Sequence, residues 1–145
     1  MRQRRLFGWF IASVMCSFLS SALAAKTPVG IWKIIDDQTA KKRALIQLTV
    51  SDGVLNGTII KIFPQPGDTG ICSKCPGEFK GKPIEGLQIV WGLQAEGNGV
   101  WSNGKILDPK AGKIYNVKMT IEDNQLKVRG YIGWATLGRT QTWVR

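Results

Sequence analysis

The sequence predicts an all-β protein, a small antiparallel up-and-down barrel of about eight strands. Three observations lead there. Apolar and polar residues alternate in short runs separated by Gly, Pro, Asn and Asp clusters, no window of helical length carries a clean 3.6-residue stripe, and the turns are short enough to join consecutive strands. A meander of eight strands hides its unpaired edges by closing on itself, and about 120 residues suit a small barrel. A half-open sandwich is the alternative.

Residues 1–25 read as an address rather than as fold. Arg2, Arg4 and Arg5 precede an apolar stretch from Leu6 to Leu19 and the small-residue run from Ser20 to Ala25, the layout of a cleaved secretory signal. The apolar stretch falls short of the roughly 20 residues a spanning helix needs, so a membrane-spanning chain is not expected. Lipid attachment at Cys16 is disfavoured because Met15, not a small residue, precedes it. Residues 26–145 are then a single domain located in the periplasm or secreted. Of the 20 basic residues, removing the three leader arginines leaves 17 against 10 acidic ones, a formal +7.

The strands follow in order. Val29 to Ile35 opens the sheet, and Ala44 to Val50 and Val54 to Phe63 form a hairpin around Ser51, Asp52 and Gly53. Leu87 to Gln94 and Gly99 to Ile106 come next. Lys113 to Ile121 follows a turn of Asp108, Pro109, Lys110, Ala111 and Gly112, and Gln125 to Ile132 follows Glu122, Asp123 and Asn124. Arg139 to Val144 ends the sheet, with room for one turn from Trp134 to Leu137 before it. The two-residue period sends Ile46, Leu48 and Val50, Leu87, Ile89, Trp91 and Leu93, Tyr115, Val117, Met119 and Ile121, and Leu126 and Val128 inward. Lys118, Thr120, Lys127 and Arg129 face out. Arg139, Gln141 and Trp143 share one face of the last strand, read as a ladder tying the final strands together or as an external recognition strip.

Residues 64–86 interrupt the pattern with Pro64, Pro66, Pro76, Pro83 and several glycines. Loops this long in compact domains tend to be lids or binding loops. Cys72 and Cys75 lie within it, and in an oxidising compartment the default is a disulfide between them. So small a ring removes little chain entropy, about 2 kcal/mol, and serves to stiffen the loop. A redox dithiol is disfavoured, because Pro76 opposes the helix that would lower a thiol pKa. Two thiols alone leave a tetrahedral metal site half made.

The chain has no His, which removes the commonest general base and metal ligand and every Ser/His or Cys/His nucleophilic pair. No catalytic residue, metal or cofactor is expected. Asp36 and Asp37, the one adjacent carboxylate pair of the first loop, point opposite ways on extended chain. Asp108 before Pro109 reads as a turn cap. The only basic run, Lys41, Lys42 and Arg43, reads as a solvated turn, and export makes nucleic acid an improbable partner for the rest.

Gly30, Ile31 and Trp32 start the first strand, and Arg129, Arg139 and Arg145 come late. A Trp at the base of a barrel, with a guanidinium from the closing strand on its face, seals one end, the stack being worth about 0.5–2 kcal/mol. The three arginines remain open for that role, with Arg139 as the candidate and the terminal Arg145 free to fray. This arrangement resembles the closing motif of lipocalins and their calycin relatives. The runs Ile62-Phe63-Pro64, Cys72-Ser73-Lys74-Cys75-Pro76-Gly77, Trp91-Gly92-Leu93, Gly104 to Pro109, Gly112 to Tyr115, Leu126 to Gly133 and Leu137 to Trp143 resemble the exported bacterial proteins grouped as domain of unknown function 2147. The resemblance implies a lipocalin-like barrel outside the cytoplasm and carries no established reaction or site.

The expected function is therefore non-enzymatic binding or carriage of a small apolar or amphipathic molecule in the barrel, with Phe63, Trp91, Tyr115 and Met119 as lining residues. The alternative is a cell-envelope protein that meets anionic lipid, glycan or a protein partner through its basic surface. A dithiol oxidoreductase or carboxylate hydrolase comes last.

Overall fold

The computed structural model describes residues 26–134 and 136–145; the leader expected over residues 1–25 lies outside the described residues. Eight strands run in order: β1 (Gly30–Ile35), β2 (Lys42–Ser51), β3 (Val54–Ile62), β4 (Gln88–Gly97), β5 (Val100–Asp108), β6 (Lys113–Glu122), β7 (Gln125–Tyr131) and β8 (Gly138–Val144). Each pairs antiparallel with the next, and β8 returns to β1, so the sheet is a closed barrel. The predicted strands are all present, within a few residues at each end.

Up-and-down order sorts the connections. Three two-residue turns, 52–53, 98–99 and 123–124, gather at one end, while loops 36–41, 63–87, 109–112 and 132–137 gather at the other. The turns Asp52-Gly53 and Asn98-Gly99 adopt the left-handed backbone that tight hairpins require. One end is consequently tight and the other open.

The tight end is sealed by Trp32, which is fully buried and donates its indole N–H to the Pro28 carbonyl at 2.7 Å. Arg145 lies 4.2 Å over the Trp32 ring and donates to the Thr27 carbonyl at 2.7 Å. The seal therefore uses Arg145 and not Arg139. The reason is strand direction: β8 begins at the open end, so Arg139 stands about 20 Å from the floor at 3.3 Å per residue. Arg139 pairs instead with Asp37 at the rim, 2.8 Å away. Because β1 and β8 register only at Lys33 and Val144, Arg145 also stitches the thinnest seam of the barrel to the segment that leads into β1.

Above Trp32, the side chains of Ile46, Leu48, Leu55, Leu93, Met119 and Leu126 are fully buried. Two inward assignments change. Val50 sits opposite Leu55 but is 40% exposed, because β2 runs past the first residue of β1 and overhangs the floor. Trp91 is turned to the other face by a bulge at Gly92, whose φ of 80° and hydrogen bond from its N–H to Asn56 Oδ1 break the alternation. Val90 and Leu93, three residues apart, are both fully buried, whereas Trp91 stands opposite the exposed Lys105.

Candidate functional site

The open half of the barrel is hollow. A cavity of about 810 Å³ begins above the packed floor and opens among the four long loops. Ile34, Ile59, Ile106, Val128 and Trp143 contribute to its apolar wall. β-branched and aromatic residues stand here for the reason that they form strands at all: they pack well on a pleated surface. Tyr115 and Tyr131 also line it, and the Tyr115 hydroxyl makes no hydrogen bond to the protein among the described residues.

Of the four residues predicted to line the interior, Phe63 and Tyr115 stand at this cavity. Phe63 is at the mouth, with the ammonium groups of Lys42 and Lys61 at 4.1 and 5.5 Å from its ring centre. Met119 is fully buried in the floor and reaches no open space. Trp91 is half-buried on the outer side and stacks on Phe79 of the long loop, ring centres 5.7 Å apart.

Trp143, read from the sequence as part of a ladder tying the final strands together or of an external strip, faces the interior. Arg139, Gln141 and Trp143 do share one face, but it is the interior: they stand opposite Gly130, Val128 and Leu126 and all three line the cavity. The side is set by the register of β8 on β7, which puts Trp143 against the core residue Leu126 and which the predicted strand limits do not define. The Trp143 ring N–H is buried and has no acceptor among the described residues. An unmatched buried donor costs about 1–3 kcal/mol, so this end of the cavity favours an occupant that offers an acceptor.

The rim is polar. Asp36 accepts from the backbone N–H groups of Gln38 and Thr39, both at 2.9 Å, and the Thr39 and Gln38 bonds hold its carboxyl below the ordinary Asp value. Asp68 accepts from the Gln65 N–H at 2.7 Å and from Arg43 at 2.8 Å. The Gln65 bond first, then the Arg43 charge, hold its carboxyl below the ordinary Asp value. Asp108 caps its turn through the Lys110 and Ala111 N–H groups. Asp37 is held by Arg139, so Asp36 and Asp37 serve different partners and do not face one substrate as acid and base.

The long loop is built as a rigid cover. Cys72 and Cys75 form a disulfide, and both are buried. The Cys72 N–H donates to the Lys82 carbonyl, Gly81 N–H to the Cys72 carbonyl and Ile84 N–H to the Gly70 carbonyl. Sulfurs this deeply covered offer an incoming thiolate no path of attack. The loop leans on the β5–β6 turn, where the Lys74 carbonyl meets Gly112. Among the described residues no cluster of three or more His, Cys, Asp or Glu is placed to hold a metal ion, and no helix is long and apolar enough to cross a membrane.

Comparison with known proteins places this geometry. A family described as "Uncharacterized protein conserved in bacteria" (DUF2147) matches residues 30–145. Among solved structures, protein HP1028 from the human pathogen Helicobacter pylori, described as belonging to the lipocalin family, shares the fold with a TM-score of 0.69. The two are 20% identical over 81% of each chain, a likeness that establishes the lipocalin-like fold alone. No curated protein matches the sequence.

Proposed function

We propose that this chain, which belongs to the DUF2147 family of bacterial proteins, is exported and holds a small apolar or amphipathic molecule in the open half of its barrel without altering it chemically. The observation that carries the reading is the cavity: about 810 Å³ of space with an apolar wall, within the roughly 300–1,000 Å³ of small-molecule sites. The apolar part of a ligand lies against Ile59, Ile106 and Val128. An acceptor group on it meets the free donors, which are the Trp143 N–H within and the Tyr115 hydroxyl and Lys110 ammonium nearer the mouth. The rim carboxylates already have partners, so an anionic or neutral head suits the mouth better than a cationic one. Export rests on the leader pattern of residues 1–25 and is checked by the N-terminal residue of protein recovered outside the cytoplasm.

Native mass spectrometry of protein purified from its own host should reveal a retained small molecule. Tryptophan-quenching titrations with fatty acids of increasing length should saturate at one equivalent per chain, and Ile34→Trp, which adds bulk to the cavity wall, should weaken the uptake of the longer chains. A chain that purifies empty and quenches with no amphiphile refutes the carrier reading.

A further inference from the structure

The β7–β8 loop holds Ile132, Trp134 and Leu137 in solvent at 66, 78 and 73% exposure, the three most exposed large apolar side chains among the described residues. The loop nevertheless has fixed anchors. The Leu137 N–H donates to the Trp134 carbonyl at 2.9 Å, and the Arg129 guanidinium donates to the Thr136 carbonyl and to Thr140 Oγ1. Ile132 and Leu137 also line the cavity, so the apolar tip stands beside the mouth. Anchored exposure of this kind marks an interaction surface more often than chance.

Charge at the same end is sorted. Asp37 and Asp68 are taken by Arg139 and Arg43, and Asp36 and Asp108 accept from the backbone of their own turns. Lys74, Lys80, Lys82 and Lys110 are exposed and form no ion pair among the described residues. Glu85 accepts from the Ile62 N–H. Apart from the exposed Glu78, negative charge at this end is thus engaged within the protein, and the surplus that faces outward is positive.

We propose that the open end docks on an anionic lipid bilayer, with Ile132, Trp134 and Leu137 entering the boundary between headgroups and acyl chains and Lys74 and Lys110, which stand at the mouth beside them, meeting the headgroups. Trp prefers that boundary, and lysines near an anionic surface add to the attraction. A convex tip of three side chains cannot supply the roughly 1,000 Å² that a specific protein interface buries, but a fluid surface needs no such complementarity. The inference stands on exposure and charge and does not require an occupied cavity, so it survives or fails separately from the carrier reading.

Protein recovered after export, with its N terminus read by mass spectrometry, should co-sediment with phosphatidylcholine vesicles doped with phosphatidylglycerol, less so as salt is added. The double substitution Trp134→Ser and Leu137→Ser should weaken binding about tenfold or more. Lys74→Glu with Lys110→Glu should lose the gain from phosphatidylglycerol while matching the parent on phosphatidylcholine alone. All four side chains are exposed, and unchanged melting of each variant checks its fold. As an independent readout, the emission of the parent should shift to the blue on vesicle addition, and Trp134→Phe should lack that shift. Equal binding by the parent and the Trp134/Leu137 variant overturns the proposal. So does a parent dimer in sedimentation velocity that the same variant dissociates, an outcome that assigns the tip to a second copy of the chain.

Discussion

A methyl group placed on Gly112 would collide with the backbone carbonyl of Lys74. The two belong to different elements: Gly112 ends the β5–β6 turn with a φ of 66°, and Lys74 lies between the two cysteines of the long loop. Their approach fixes the cover against the barrel, and only a residue without a side chain permits both the contact and the dihedral. Gly112→Ala should cost about 1–3 kcal/mol. Hydrogen exchange should accelerate at the amides of Cys72 and Gly81 more than in the strands.

The floor clamp has two components of different size. Trp32→Ala removes a fully buried indole and should destabilise by about 3–5 kcal/mol. Arg145→Ala removes the stacked guanidinium and should lose about 0.5–2 kcal/mol, with Arg145→Lys between it and the parent because an ammonium lacks the planar stack. Urea denaturation measures both. Equal stability of Arg145→Ala and the parent would show that the seam needs no stitch.

Removing the disulfide by Cys72→Ala with Cys75→Ala should lower stability by about 2 kcal/mol. The barrel should keep its circular dichroism, since its strand ladder does not pass through the cysteines. Collapse of the strand signal would contradict the separation of cover from barrel.

The Arg43–Asp68 clasp should be insensitive to pH until strong acid. The Gln65 N–H and the Arg43 charge lower the Asp68 pKa in the fold. A lowered pKa contributes stability that is complete above the unfolded value, about 3.9, and is lost as pH falls through the folded one. The Asp68 carboxyl carbon should therefore hold a constant NMR shift from about pH 8 to 5 and move only below about pH 4. Titration nearer neutrality would mean that the clasp is open in solution.

Trp143→Phe deletes a buried donor that has no acceptor among the described residues. Relief of the unsatisfied donor offsets part of the packing lost with the smaller ring, so the empty protein should lose no more than about 1–2 kcal/mol. The substitution should also weaken retention of any ligand that accepts from the indole. Thermal melting of the delipidated variant reads the first effect.

Tyr115 could be placed near the interior from alternation alone, because Tyr115, Val117, Met119 and Ile121 keep the two-residue period along β6. Phe63 reaches the mouth although a bulge at Ile60 shifts the period of β3 before it. Trp91 could not be placed from alternation. The extra residue at Gly92 inverts the pleat, and nothing in Trp91-Gly92-Leu93 distinguishes a bulge from a plain strand until Asn56 on the neighbouring strand is seen to accept from its N–H. Trp143 was legible as half of a pair, its face evident from Arg139 and Gln141, but the side of that face required the register of β8 on β7. Met119 was rightly expected inside, yet inside at the floor is packed and inside at the mouth is hollow.

By itself, the sequence determined the eight strands, the direction of the meander, the long cover with its paired cysteines and the lack of histidine chemistry. These are local matters, decided by the two-residue period, turn residues and composition. Only the tertiary structure decided that Arg145 and not Arg139 caps Trp32, that the barrel is open above Met119, and that the apolar tip of the last loop stands beside the opening. Those depend on which strand ends share a rim and where side-chain volume falls short of filling the barrel, and both are properties of the closed sheet rather than of any single segment.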